Sequence, residues 1–264
     1  MKEIDANKKE RIIRKLHEIG IKNLTISGGE PMIDKDLKPI IELANKLGMK
    51  ILVQTNGTRI NEEIAEFLKS KNAFLEISLE GTEDIHNKVT KSNNFGAAIN
   101  GIKIAAAKGI PICANFTITK VNMGCLDDYL KLIESLGINI ANFTKLYPSG
   151  NALININIMP TENENLEFLK KLSELQFNTR IILNVQPGFR KEILEAAGII
   201  YSNKCPASKE ITISPDGSVK ACPSWPISHG NLLSWYEMPE IESDGCAIEE
   251  VLQAKVNKAK NAII

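Results

Sequence analysis

Charge of one sign is missing from this sequence. Thirty-two Lys and Arg residues balance 32 Asp and Glu residues over 264 positions, with no long run of either sign. A surface that attracts polyanions needs a basic excess, so nucleic acid is not an expected partner. Long apolar runs are missing too. No stretch reaches the length of a membrane span. The first residues, MKEIDANKKERIIRK, lack the apolar core of a secretory signal. A cytoplasmic location without membrane association is the default expectation. Cysteine is sparse: Cys113, Cys125, Cys205, Cys222 and Cys246 form an odd, scattered set, which does not read as a secreted disulfide framework. No phosphate-binding loop, metal-binding histidine pair or nucleophile–base set is visible, so an unrelated TIM-type βα enzyme has no motif to support it.

What the chain does contain is a repeated unit: an amphipathic helix, a glycine, then a short apolar strand. LHEIG-IKNLTIS, ANKLG-MKILVQT, AAAKG-IPICANF and IESLG-INIANF are four cases. Gly20, Gly48, Gly109 and Gly137 each stand just past the last periodic residue, where a left-handed helix end favours glycine. The helices rest on spacing. Ile12, Ile13, Leu16 and Ile19 share a face, as do Leu37, Ile40, Ile41, Ala44 and Leu47. Phe95, Ala98, Ile99 and Ile102 form a third stripe, and Leu126, Tyr129, Leu130, Ile133 and Leu136 a fourth. Pro39 fits a first turn if Asp36 caps its helix. Thr161 and Glu164 read as a capping box before LEFLKKL.

Strands are expected at 23–27, 50–55, 74–79, 112–118 and 139–146. Their alternation with helices implies a parallel sheet or barrel with right-handed crossovers. The fold class is therefore α/β over about 7 to 185. Because the chain opens on a helix, the strand that should precede residue 7 is expected to be missing. After about residue 200 the pattern changes. ITIS, a turn at Pro215-Asp216-Gly217 and SVKAC read as a hairpin. Residues 1–199 are expected to form the βα domain and 200–264 a small second one, with a last helix over 247–259.

Sites in βα folds gather at the carboxyl ends of strands. The first strand ends in Ser27-Gly28-Gly29-Glu30-Pro31, the second in Gln54-Thr55-Asn56-Gly57, the third in Ser78-Leu79-Glu80-Gly81. The fourth carries Asn115 and Thr117, and the fifth runs to Lys145 and Tyr147-Pro148-Ser149-Gly150. Two glycines let a backbone approach a ligand closely. Their carbonyls, with the Glu30 carboxylate, would make an anionic pocket suited to an ammonium group.

GGEP after a strand, TNG after the next, then SLEG, a downstream His86 and LYPSGNA, in this order, resemble radical S-adenosylmethionine (radical SAM) enzymes of the SPASM/twitch type. The resemblance runs from about residue 7 to 222. It implies a partial (β/α)6 TIM-like barrel lacking its first strand, with a SPASM/twitch-like hairpin region at 200–264. It further implies that Gly28, Gly29 and Glu30, within the Gly28–Pro31 motif, bind the methionine amine of S-adenosylmethionine. By the same resemblance, Asn56 of the TNG turn would belong to this cofactor site. Ser78 would lie near the ribose or carboxylate, and Asn115 would face the cofactor. Enzymes of this kind reduce S-adenosylmethionine with a [4Fe–4S] cluster to a 5′-deoxyadenosyl radical, and the barrel orients the reactants. A peptide or protein substrate, and an electron donor such as flavodoxin or ferredoxin, are the implied partners.

Cys205, eleven residues, Gly217, four residues and Cys222 match the opening of an auxiliary [4Fe–4S] motif of that subgroup. Zinc is the alternative for this pair, although four ligands are usual for zinc. Cys246 aligns better with a segment that is not a ligand position. The family's CxxxCxxC loop is absent: the chain starts about where that loop would end. Among the remaining candidates, Cys113 and Cys125 read as small hydrophobes. His17 reads as solvated and His86 as a cap or packing residue. His229 is a weak ligand candidate, and Trp225 and Trp235 read as core cover. Two functions stay open at this level. One is a radical SAM enzyme, or part of one, acting on a peptide or protein. The other is a cluster-free barrel that binds a peptide or partner without catalysis. Losing a first parallel strand would leave an apolar sheet edge unpaired. The chain alone is therefore expected to aggregate or to be marginally stable, and a cooperative, monomeric thermal unfolding transition would argue against that.

Overall fold

The computed structural model describes residues 4–138, 140–147, 150–175, 182–185, 191–197, 211–220 and 231–232. Cys205, Cys222, Cys246, His229, Trp225, Trp235 and the expected helix over 247–259 lie outside them. Among the described residues six strands form one sheet: β1 (Asn23–Ile26), β2 (Lys50–Thr55), β3 (Phe74–Ser78), β4 (Ile112–Ile118), β5 (Ile140–Lys145) and β6 (Ile182–Val185). The first five match the expected spans to within one residue at each end. All neighbouring pairs are parallel and the spatial order follows the chain, β1 to β6. No pair joins β1 to β6 among the described residues, so the sheet is an open, partial barrel rather than a closed one.

Among the described residues, eight helices are interleaved with these strands: α1 (Ala6–Glu18), α2 (Leu37–Lys46), α3 (Glu62–Ser70), α4 (Glu83–Thr90), α5 (Phe95–Ala107), α6 (Leu126–Ser135), α7 (Glu162–Leu175) and α8 (Lys191–Ala196). Their apolar stripes cover one face of the sheet. Ile12, Ile13 and Leu16 of α1 join Ile41 of α2, Leu68 of α3, Ile102 of α5 and Leu169 of α7 in a single apolar cluster. On the same face Phe116 of β4, Phe143 of β5, Tyr129 of α6 and Phe168 of α7 pack ring to ring at 4.7–6.2 Å between centroids. No helix of the described residues is long and apolar enough to cross a membrane.

Local sequence explains most helix ends. Asp5 and Asn61 cap α1 and α3, each side-chain oxygen accepting a backbone N–H at 2.9 Å. Gly20, Gly48, Gly109 and Gly137 take φ values of +87°, +71°, +65° and +73°, the conformation the repeat requires of them. Asn72 does the same after α3 at φ +51°. The capping box of α7 is formed: Thr161 N–H donates to Glu164 Oε2 at 2.6 Å, and Glu164 N–H donates to Thr161 Oγ1 at 3.2 Å. Asp36 departs from expectation. It occupies the N-cap position of α2, but its side chain makes no capping bond. Its carboxylate instead accepts from Lys9 Nζ at 2.9 Å, and Asp34 shares that ammonium at 2.7 Å. A charged partner on α1 outcompetes a neutral N–H. The result ties α1 to the loop that follows β1.

The C-terminal hairpin is present as β7 (Thr212–Ile213) and β8 (Val219–Lys220), antiparallel, with Gly217 at φ +83° in the turn. It rests on the barrel. Val219 and Leu232 are fully buried in the cluster that holds Ile12 and Leu16. Ile4 N–H donates to the Pro215 carbonyl at 3.0 Å.

One glycine is dictated by tertiary approach rather than by dihedral. At Gly101, inside α5, an added Cβ would stand 2.1 Å from the Gly57 carbonyl oxygen. Helix propensity alone favours alanine by about 1 kcal/mol. Overpacking against a backbone carbonyl costs about 1–3 kcal/mol and outweighs it. Gly101→Ala is expected to lower unfolding stability in urea, whereas Gly96→Ala in the same helix, where nothing lies within 4 Å, raises it slightly.

Candidate functional site

Parallel strands present alternate side chains to opposite faces. One face lies under the helices and is apolar: Ile51 and Val53, Leu75 and Ile77, Ala114 and Phe116, Ala141 and Phe143 are all buried in the core. The other, concave face carries the intervening residues, and these are mostly polar near the carboxyl ends. There they enclose a cavity of about 290 Å³. Ser27, Gly28, Gly29 and Glu30 line it from β1, Gln54, Thr55 and Asn56 from β2, Glu76 and Ser78 from β3, Asn115 from β4 and Thr144 from β5. Six of the seven expected cofactor-site residues are thus brought to one cavity. Pro31 is not among its walls; it is buried and opens a short 3-10 turn, Pro31–Ile33.

Glu30 joins two of the turns that form the wall. Its Oε1 accepts from Thr55 Oγ1 at 2.6 Å and from Met32 N–H at 3.0 Å, and its Oε2 accepts from Asn56 N–H at 2.8 Å. The carboxylate therefore holds the TNG turn to the GGEP turn while it lines the cavity. Gly28 sits at φ +148°, and no atom lies within 4 Å of where a Cβ would stand at Gly28 or Gly29. Both backbones face open space. Asn56 is committed to its own turn, its Oδ1 accepting from Thr58 N–H at 2.9 Å and Thr58 Oγ1 at 2.7 Å. Asn115 Oδ1 accepts from Thr144 Oγ1 at 2.8 Å, which leaves its amide N–H groups to serve the cavity.

Two wall residues, Glu76 and Thr144, escaped sequence reasoning. Both stand on the period-2 face that Ser78 and Asn115 share, so strand alternation alone would have found them. Glu76 Oε1 accepts from Gln54 Nε2 and Oε2 from Asn142 Nδ2, both at 2.9 Å. Burial raises its pKa, against the two amide hydrogen bonds, which lower it.

Behind the rim, the SLEG turn is pinned rather than free. Glu80 is buried and accepts from Thr117 N–H at 2.8 Å and Thr117 Oγ1 at 3.3 Å. Glu80 N–H donates to His86 Nδ1 at 3.1 Å, so the ring proton resides on Nε2, 3.1 Å from Asn94 Oδ1. Burial lowers the His86 pKa and keeps the ring neutral. His86 thus packs and caps, edge-on to Phe95. Asn122 Nδ2 closes the turn onto the Glu80 and Thr117 carbonyls at 3.1 and 2.9 Å. Lys145 and Thr117, both read as strand-end residues, are not in the cavity wall; Lys145 pairs with Glu162 at 3.2 Å. His17 is exposed, as read.

The described cysteines do not suit metal. Burial pushes the Cys113 thiol up to about 12 and also raises that of Cys125, whereas cluster ligands are thiolates. Among the described residues no three His, Cys, Asp or Glu side chains group to hold a metal. These residues therefore do not fit an iron–sulfur cluster. The cavity does fit a cationic amino-acid ligand, because two carboxyl groups and glycine backbone line it and, among the described residues, no Lys or Arg does.

Burial pushes Glu80 up to about 7 from its ordinary 4.5. Between those values the folded chain keeps a proton that the unfolded chain has released. Stability is therefore full below about pH 4.5 and falls as pH rises through 7, by roughly 3 kcal/mol in all. Glu80→Gln, which can accept from Thr117 N–H and donate to Thr117 Oγ1, should flatten that slope. Urea unfolding at pH 5 and pH 8 measures it.

The model of a family described as "Radical SAM superfamily" matches residues 1–133. The mycofactocin maturase MftC of Mycobacterium ulcerans is 27% identical over 227 residues, covering 84% of this chain and 60% of that protein. The Fe-coproporphyrin III synthase of Methanosarcina barkeri is 28% identical over 189 residues, 68% of this chain and 47% of that protein. The chain therefore spans about half to three-fifths of the length of these relatives. Among solved structures, anSMEcpe with bound AdoMet and the Kp18Cys peptide superposes with a TM-score of 0.69 at 18% identity, over 96% of this chain and 75% of that one. That likeness is one of fold.

Proposed function

Because this chain belongs to the radical SAM superfamily, we propose that its strand-end cavity binds S-adenosylmethionine and that it works as all or part of an enzyme modifying a peptide or protein. The observation that carries the first half is the cavity wall: the Gly28-Gly29 backbone and the Glu30 carboxylate on one side, Ser78 and Asn115 on the other, with no Lys or Arg among the described residues. The methionine ammonium would meet the glycine carbonyls and Glu30. A carboxylate so held gives a charge-assisted contact without reorganising. Ser78 would face the ribose or carboxylate. Asn115, its oxygen occupied by Thr144, would donate to an acceptor of the cofactor. Asn56 would shape the wall through its turn rather than by direct contact.

Bound S-adenosylmethionine, reductively cleaved, supplies a 5′-deoxyadenosyl radical in this family. The residues described here bind, orient and exclude water. Three thiolates for a catalytic cluster are not found among the described residues. The peptide reading is supported by the fold shared with anSMEcpe, solved with bound AdoMet and the Kp18Cys peptide. Residues 200–264 would then form a SPASM/twitch-like region beside a 1–199 barrel. Cys205 and Cys222 would be ligands of an auxiliary [4Fe–4S] cluster, served by a donor such as flavodoxin or ferredoxin in the cytoplasm.

Equilibrium dialysis of the purified chain with S-adenosylmethionine tests the cavity. Binding is expected, and Glu30→Gln should weaken it by about tenfold or more. Absence of binding, or indifference to Glu30→Gln, overturns the reading. Iron and sulfide content after anaerobic reconstitution, assayed with 5′-deoxyadenosine release under reductant, then separates catalysis from binding. Cofactor binding with neither cluster nor cleavage would leave this chain as a binding module.

A further inference from the structure

Glu76 stands at the centre of the concave face, between two cavities. Above it is the 290 Å³ strand-end cavity. Below it is one of about 360 Å³ at the amino ends of the strands, walled by Leu24, Leu52, Phe74, Cys113 and Ile140, with Lys50 among its residues. Of the residues that line the two, Glu76 is shared by both. Gln54 reaches it from β2 and Asn142 from β5, each donating from its amide nitrogen at 2.9 Å. The three side chains form a polar partition across the sheet.

An ionised carboxylate only accepts. Both amides must therefore turn their nitrogens toward Glu76, and each carbonyl oxygen is directed elsewhere. Gln54 lines the upper cavity, so its free acceptor is available to that cavity. Glu76 thus acts twice on the same space: through its own charge, and through the acceptor that it makes Gln54 present. Among the described residues, the other ionisable groups around it are few. Cys113 faces it from β4, its thiol raised by burial and by the Glu76 charge. Glu30 stands across the upper cavity and Lys50 in the lower one, while Gln54 and Asn142 carry no charge.

We propose that Glu76 is a positioning residue that orients the Gln54 and Asn142 amides and makes the upper cavity select a ligand bearing an additional positive charge over a neutral analogue of the same shape. This rests on the S-adenosylmethionine reading and assigns the sulfonium, rather than the ammonium, to the field of Glu76. Burial that raises the Glu76 pKa makes the preference pH-dependent. Selection grows as pH rises through the titration of Glu76, because only the ionised form attracts the cation.

The probes are S-adenosylmethionine and S-adenosylhomocysteine, which differ at sulfur by one methyl group and one positive charge. Their dissociation constants are measured by equilibrium dialysis from pH 5 to 8 on the full chain and on Glu76→Gln. The wild type should favour the sulfonium increasingly with pH. Glu76→Gln should reduce that ratio by about tenfold and flatten its pH profile, and Glu76→Asp should restore part of it. Without ligand, the side-chain amide NMR signals of Gln54 and Asn142 should move with one shared midpoint in the wild type and stay still in Glu76→Gln. Equal weakening of both probes would mean a merely structural role and overturn the proposal, as would an unchanged ratio or amide signals that ignore pH. If the wild type binds neither probe, the S-adenosylmethionine reading itself falls. If it binds S-adenosylmethionine but the ratio ignores Glu76, only the present proposal falls.

Discussion

The Glu30 carboxylate, accepting from Met32, Thr55 and Asn56 at 2.6–3.0 Å, is the constraint on which the site is built. Two glycine-rich turns at the ends of adjacent parallel strands would otherwise be joined only by short β pairing that stops at Ile26 and Val53. A single side chain with two acceptor oxygens bridges them and leaves its charge at the cavity wall. The turns are then braced from outside. Lys9 grips Asp34 and Asp36 just after GGEP, and Gly101 lets α5 approach the carbonyl of Gly57, the last residue of TNG. A change in either brace reaches the cavity through the backbone, without touching a ligand.

The interior of the partial barrel stores electrostatic cost. Glu76 and Glu80 both carry carboxyl groups away from water, and burial pushes both pKa values upward. They are satisfied differently. Glu80 is held by backbone and hydroxyl donors of β4 and secures the end of β3. Glu76 is held by two amides from other strands and sits where a ligand can alter its charge balance. Buried carboxyls are expensive unless hydrogen-bonded. Here the donors come from β2, β4 and β5, so assembly of the sheet and stabilisation of its charges occur together.

Much of this architecture was legible in the linear sequence because it is local. The helix stripes, the Gly20, Gly48, Gly109 and Gly137 helix ends, the Thr161–Glu164 box and five strand spans follow from periods of 3.6 and 2 and from dihedral preference. The cavity residues Gly28, Gly29, Glu30, Asn56, Ser78 and Asn115 were legible because parallel βα units place every strand end on one side. Asp36 was misread at the level of its side chain. Its position is an N-cap, but a lysine 27 residues earlier offers a charged partner that no local rule contains.

The sequence by itself determined the order of elements, the parallel sense of the sheet and the set of strand ends that meet, because each depends on residues within one βα unit. Only the tertiary structure decided which side chains speak to one another across units. Glu76 meets Gln54 and Asn142, Gly101 yields to Gly57, and Glu80 takes Thr117 as its donor. Those pairings lie 22 to 66 residues apart for the hydrogen bonds. They depend on strand register and on the distance between a helix and a turn, which no short-range pattern encodes.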